Sequence, residues 1–466
     1  MLVSKVRDSV SKHRLAGILA VGIVVRVILM PISAHPFDVY AWYSMSMGIL
    51  KNGPFTLVSV PPLWYHYMMI PVAYSYGWLR GLFSSGAIPM SSLPSALNFY
   101  PSYVTVVPGM LFDTIVKTPF LLSDIAITFL LYKTVEELTR SKALAEKAAF
   151  LWFLNPFVIW ISAAWGMWDT LPALFSLLAF YLLLKKRISL SAVCLSLGVA
   201  LKFYPALFLL PIGVYLLKTG PNEIKRKNTL TFFSVFAIAT VLLFLPYLGM
   251  IPSFFTYYFA PSSTISGAVP NQITNPIAFG LTYWSLYLLN RLTNLPITAT
   301  FISIASFAST VLVVVALGLV YWKTSKLTFQ KPAYDLALVL LLPVLALFLS
   351  YRIICEQYFV WAIPFLVILC VGGRVKVAFY WGASIAALLY VVLNCPLPFF
   401  FLPLAPWYTN TLLAMVYTVW SVFSVLIVLL AILGCVFSIL LIFIILQLAR
   451  TWGSKKPHEK PVSPNP

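Results

Sequence analysis

Charge is the scarcest thing in this sequence. Only 9% of its 466 residues are Asp, Glu, Lys or Arg, where soluble domains carry roughly 25%. That excludes a water-soluble domain of useful size. Metal-binding patterns are missing as well. The five cysteines (Cys194, Cys355, Cys370, Cys395, Cys435) form no CxxC, and the four histidines form no HxxxH, so no metal site is readable. Cys355 and Cys395 both fall near what reads as the outer surface, and a disulfide between them is left open. No Asn-x-Ser/Thr sequon and no internal repeat is readable. Acid is scarcer than base, with 12 Asp and Glu against 31 Lys and Arg.

What is present is apolar. Hydrophobic residues make up 61% of the chain, with a mean hydropathy of +0.95. Apolar runs near the ~20 residues that cross a bilayer recur from end to end. The first, Leu15 to Ile32, lacks a small-residue cleavage site and reads as a retained helix. The net charge of +19 invites a nucleic-acid reading, but the placement of the cations argues against one. Most lie in short segments at every second loop: the N-terminus, Lys133–Lys147, Lys185–Arg187, Lys218–Lys227, Lys323–Lys331, Arg374–Lys376 and the tail after Leu448. That is the positive-inside pattern of a membrane protein, and it places both termini in the cytoplasm. Membrane lipids, not nucleic acid, are the partners this charge implies.

Segment length and loop charge predict an all-α polytopic protein of about 12 spans, with a range of 10–13. Residues 1–466 read as one membrane domain. Residues 34–109 form a first outer loop with interfacial helices, and 449–466 a short disordered cytoplasmic tail. Within the loop, Asp38 opens a helix with Tyr40, Tyr43, Met47 and Leu50 along one face. The segment Leu63–Leu82 reads as an interfacial or re-entrant piece broken by Pro71. Spans are expected over Phe112–Tyr132, Leu144–Ser162 and Leu171–Leu184. Two short helices should meet at Leu201–Pro205. The final run, Thr411–Leu448, reads as one long tilted helix, although a hairpin is also open.

The cations outside the basic segments are Arg26, Lys51, Arg80, Lys117, Lys202, Arg291 and Arg352. Asp38, Asp113, Asp124, Asp169 and Glu356 lie on or near the same side. Charges are costly to hold in or against a bilayer, so both signs gathered at one face point to a site. Each has a plainer alternative. Asp38 and Asp169 are well placed to cap helices. Lys202 can snorkel to headgroups instead of binding a lipid phosphate. Lys117 and Asp124 share a helix face at a seven-residue spacing, which fits a static salt bridge as well as a functional pair.

The order of these features resembles the GT-C glycosyltransferases, and within them the GPI mannosyltransferase I catalytic-subunit family. Three stretches carry the resemblance. The first runs from Tyr40 to Gly53-Pro54-Phe55, with Pro61-Pro62-Leu63 and Pro71. The second is Asn155-Pro156-Phe157, Trp165-Gly166-Met167-Trp168-Asp169, Lys185-Lys186-Arg187 and Leu201-Lys202-Phe203-Tyr204-Pro205. The third is Gln357-Tyr358-Phe359-Val360-Trp361. The family's acidic DxD-type motif is reduced here to Asp38 alone.

The resemblance implies a GT-C-like bundle and an inverting mannosyltransferase. A polyprenyl (dolichyl) phosphate would donate the sugar to a lipid-linked glycan or glycolipid on the outer or luminal face. Asp38 would be the base. Lys202 and Arg352 would hold the donor phosphate. Asp169, Glu356, Gln357 and His66 would contact sugar or acceptor, with Lys117, Asp124 and Tyr204 in support. With one carboxylate in the motif, no metal and no other cofactor is expected. The family's enzyme uses a small membrane partner subunit, and one is allowed for here. The membrane would be the cell membrane of a prokaryote or the endoplasmic reticulum of a eukaryote. A transporter or flippase of lipid-linked sugars, and an accessory subunit, remain as alternatives.

Overall fold

The structure is a computed structural model that describes residues 2–54, 63–84, 86–97, 104–246, 299–351 and 354–452. Helix α1 spans Leu2–Ile32 and α2 spans Pro36–Asn52. A π-turn, Leu63–Met68, leads into α3, Met69–Leu82. Two short strands follow, β1 (Ile88–Pro89) and β2 (Val106–Val107). They pair antiparallel with Ile88 opposite Val107. Then come α4 (Met110–Thr139), α5 (Lys142–Phe153), α6 (Pro156–Ile159) and a π-helical turn, Trp160–Trp165. Next are α7 (Thr170–Leu184), α8 (Ile188–Leu201), the 3₁₀ turn Tyr204–Phe208, α9 (Leu209–Lys218) and α10 (Asn222–Phe244). The chain continues with α11 (Ala299–Lys326), α12 (Pro332–Ser350), the 3₁₀ helix Glu356–Trp361 and α13 (Ile363–Val371). It closes with α14 (Val377–Asn394), α15 (Leu397–Phe400), α16 (Ala405–Ser421) and α17 (Phe423–Thr451).

Among the described residues, seven helices are long and apolar enough to cross a membrane, or eight if the bent pair Lys142–Phe153 and Pro156–Trp165 counts as one span. The chain is a predominantly helical, multi-pass membrane protein. Among the described spans α12 is the most enclosed, with 83% of its apolar window buried, while the window of α10 is only 6% buried and faces outward. Helix α1 packs on α4 and α5, α7 on α8, α8 on α10, and α14 on α17.

Several breaks have local causes. The expected single span Leu144–Ser162 is two helices bent by 44°. Asn155 causes this by capping α6: its Oδ1 accepts from the amides of Phe157 at 2.9 Å and Val158 at 3.4 Å, with Pro156 at the first helical position. Its Nδ2 donates to Tyr380 at 2.6 Å and Ser384 at 2.9 Å, which ties the bend to α14. The expected final helix is likewise two, α16 and α17, interrupted at Val422. Pro71 does not break its segment. It lies in the first turn of α3, where a missing N–H costs nothing.

Helix α2 buries Val39, Trp42, Met45, Ser46 and Ile49 and leaves the face of Tyr40, Tyr43, Met47 and Leu50 half-buried. The reason is Trp42, which meets Trp64 and Trp168 edge-on at 5.5 and 4.7 Å. Lys117 and Asp124 share a helix but not a partner. Asp124 Oδ2 accepts from Arg26 Nε at 2.8 Å and from Ser162 at 2.6 Å, so α1 is bolted to α4 by a fully buried ion pair. Arg26 also donates to Phe153 O at 2.9 Å and lies over the Phe153 ring. Lys117 turns instead to the end of α1.

Candidate functional site

The site begins where α1 stops. Lys117 Nζ donates to Met30 O at 3.0 Å, to Ser33 O, and to Ala164 O at 3.4 Å. It thereby satisfies carbonyls left open at the helix end and joins that end to the π-turn before Trp165. Gly166 then reverses the chain at φ +90°. A Cβ there would lie 2.9 Å from both Lys117 Cε and Val39 Cγ2, so only glycine fits. Four residues before Lys117, Asp113 is fully buried, with neither carboxylate oxygen hydrogen-bonded among the described residues.

This joint presents Asp38. His35, not Asp38, is the cap of α2, and Asp38 lies in its first turn. Asp38 Oδ2 accepts from Trp165 Nε1 at 2.7 Å and lies 3.0 Å from His35 Nδ1. The same Nδ1 is 3.3 Å from the Asp38 amide. One nitrogen cannot serve both contacts: protonated it donates to the carboxylate, and neutral it accepts from the amide. The charged arrangement wins. Burial opposes the imidazolium, but the Asp38 carboxylate and the Cys395 side chain outweigh it and raise His35 to about 10. Burial likewise opposes the Asp38 charge, but His35, the Trp165 hydrogen bond and Lys202 hold its carboxyl below the usual range.

A second group lies close enough for its charge to reach Asp38. Lys202, just past α8, points Nζ at Asp169 Oδ1 from 2.5 Å. Its ammonium is ringed by Trp168, Tyr358 and Trp361, at 4.8, 4.6 and 5.2 Å from their centroids. Trp361 Nε1 donates to the same Asp169 oxygen at 2.6 Å, while the buried Oδ2 has no hydrogen-bond partner among the described residues. Asp169 opens α7 but makes no side-chain cap, so its carboxylate is used for Lys202. Tyr204 stacks on Trp361 at 4.2 Å.

The 3₁₀ helix Glu356–Trp361 closes the site. Glu356 is buried and accepts from Asn394. Burial pushes its carboxyl up to about 8. Gln357 is buried beside it, with no partner for Oε1 among the described residues. Cys355, adjacent, carries a thiol that burial raises to about 12, and neither it nor Cys395 is in a disulfide.

Of the residues read from sequence, the structure gathers Asp38, Asp169, Lys202, Tyr204, Glu356 and Gln357. Lys117 supports them from behind, and Asp124 belongs to the Arg26 bolt instead. Arg352 and the side chain of His66 lie outside the described residues, as do Arg291 and the long loop before it. The sequence reading passed over His35, Trp165, Trp168, Tyr358 and Trp361 as site residues. His35 carried one signal, its three-residue spacing from Asp38. The aromatics carried none beyond their place in the quoted stretches.

The geometry has sequence relatives. GPI mannosyltransferase 1 of Kluyveromyces lactis is 26% identical over 252 residues, covering 53% of this chain and 57% of its own length. GPI mannosyltransferase 1 of Dictyostelium discoideum is 26% identical over 284 residues, 53% of this chain and 58% of its own. This chain is related to GPI mannosyltransferase 1. It spans little more than half the length of these relatives. The Candida albicans protein of the same name is 30% identical over 147 residues, 28% of this chain and 36% of its own length. A family model described as GPI transamidase subunit PIG-U matches residues 95–260, a stretch that contains Asp169 and Lys202 but not Asp38 or Glu356.

Proposed function

We propose that the chain is a GT-C-type glycosyltransferase, an inverting mannosyltransferase. It would move mannose from a polyprenyl phosphate to a hydroxyl of a lipid-linked glycan or glycolipid. The observation that carries this reading is the approach of two charged units: Asp38, held by Trp165 and His35, and the Lys202–Asp169 pair inside its aromatic ring. The relatives' name supplies the sugar.

The step is a single displacement. The acceptor oxygen attacks the anomeric carbon while Asp38 takes its proton. The bond from that carbon to the phosphate oxygen breaks, and the lipid phosphate leaves with the electron pair. Lys202 has three N–H donors and gives one to Asp169 in the free protein, so two remain for the leaving phosphate. Arg352 is assigned to the same phosphate. Asp169 Oδ2, Gln357 and Glu356 receive sugar or acceptor hydroxyls, with His66 assigned to the acceptor. The site faces the outer or luminal side, opposite the basic loops, in a bundle of about twelve spans. No metal takes part: Asp38 already faces His35 and Asp169 already faces Lys202, so each carboxylate has its cation. A small partner subunit fits this reading without being required by it.

An accessory-subunit reading has one observation behind it, the family model described as a GPI transamidase subunit. Full-length protein in sealed vesicles, given radiolabelled polyprenyl-phosphate mannose and a pool of glycolipid acceptors, separates the readings. The transferase yields labelled glycolipid. Label that crosses the vesicle without product marks a flippase, and neither event marks an accessory subunit.

A further inference from the structure

The two oxygens of Asp38 are not equivalent. Oδ2 receives Trp165 Nε1 at 2.7 Å and lies 3.0 Å from His35 Nδ1, while no described residue bonds Oδ1. The two donors form one rigid unit. The imidazole stacks on the Trp165 indole at 4.6 Å with 15° between planes, and the Phe400 ring meets it edge-on at 5.6 Å. The backbone locks the same contact: His35 N donates to Trp165 O at 3.0 Å, and Ala34 N to Phe400 O at 2.8 Å.

We propose that His35 and Trp165 are positioning residues for Asp38, fixing Oδ2 and leaving Oδ1 as the oxygen that takes the acceptor proton. This rests on the transferase reading. A carboxylate gripped through one oxygen by two donors on one stacked pair cannot swing, so Oδ1 is aimed before the acceptor arrives. His35 also contributes charge. Among the described residues, the groups that reach this pair are Lys202 from the end of α8, Glu356 from the 3₁₀ helix and Cys395 after α14. Of all described residues, His35 is the one cation within ion-pair distance of Asp38, and it favours the ionised base.

The test is the pH profile of kcat/KM for wild type, His35→Asn and Trp165→Phe in vesicles. Asn preserves a helix cap and removes the charge. Phe preserves the stack and removes the donor. The acid limb should move upward by about one to three pH units in His35→Asn, and by less in Trp165→Phe. A lower plateau with the acid limb unmoved would reduce both residues to packing and overturn the assignment. A second readout needs no turnover: the carboxyl stretch of Asp38, isolated as the infrared difference from Asp38→Asn. Its midpoint should rise in His35→Asn, and in Trp165→Phe if the histidine variant fails to fold. Equal midpoints would overturn the proposal. Absence of transfer by the wild-type protein would count against the transferase reading instead, and the infrared midpoint would still decide the roles of His35 and Trp165.

Discussion

Lys202 and Asp169 meet at 2.5 Å, with the lysine side chain 13% exposed and the aspartate fully buried. Removing one partner from such a pair strands the other charge, at about 3–5 kcal/mol. Lys202→Met should therefore destabilise the protein by about that much, while Lys202→Met with Asp169→Leu should cost less than the sum of the single changes. Denaturation in detergent micelles, run as a double-mutant cycle, measures this. Additive costs would mean that the two charges do not interact. All three variants should lose transfer.

Arg26 and Asp124 form the contrasting pair. They are fully buried and bonded to each other and to Ser162 and Phe153, and not to Lys202 or Asp38. Arg26→Met should again cost about 3–5 kcal/mol. The double change Arg26→Met with Asp124→Leu should recover most of that and retain transfer. A stable but inactive double variant would move Asp124 back into the site.

Gly166 tests the joint behind Asp38. At φ +90°, with a Cβ meeting Lys117 Cε and Val39 Cγ2 at 2.9 Å, Gly166→Ala must shift the Trp165 turn. A left-handed conformation costs a non-glycine residue roughly 1–2 kcal/mol. Transfer should fall by more than this strain explains, because Trp165 carries the hydrogen bond to Asp38. Unchanged kcat would show that the turn is not coupled to the base.

These pairs show what was legible beforehand. Asp38, Asp169 and Lys202 stood out because a lone charge in so apolar a chain needs a reason. The chemical partners of those charges did not stand out. Trp165 is 127 residues from Asp38 and Trp361 is 192 from Asp169. In a chain that is 16% aromatic, such a tryptophan looks like any interface anchor. The inner face of α2 was not legible for a similar reason: Trp64 and Trp168, on other segments, decide that Trp42 points inward. The helix end at Leu201–Pro205 was legible because the sequence supplied its own stop, whereas Pro71 breaks nothing and Pro156 starts a new helix inside an expected single span. The break at Val422 was not legible, because no proline or glycine marks it.

Glu356 sets a pH dependence of stability. Burial raises it from 4.5 to about 8 in the folded protein. The folded state therefore holds this proton more tightly than the unfolded chain. The stabilisation is fully present below pH 4.5 and is lost as pH rises through about 8. Thermal unfolding from pH 6 to 9 should show the wild type weakening with rising pH and Glu356→Gln much less so. Parallel curves would mean that another group titrates.

Metal removal tests the pairing of each carboxylate with its own cation. Transfer should survive EDTA at full rate. Loss in EDTA that Mn²⁺ restores, and that Asp169→Asn reduces, would return Asp38 to a metal-binding role.

The central claim is that Asp38 takes the acceptor proton, and Asp38→Asn addresses it most directly. Single-turnover transfer from radiolabelled polyprenyl-phosphate mannose should fall by at least about 100-fold, the low end of what a positioned general base contributes, while the variant still folds and binds the donor. Transfer at the wild-type rate by a folded, donor-bound Asp38→Asn would contradict the account.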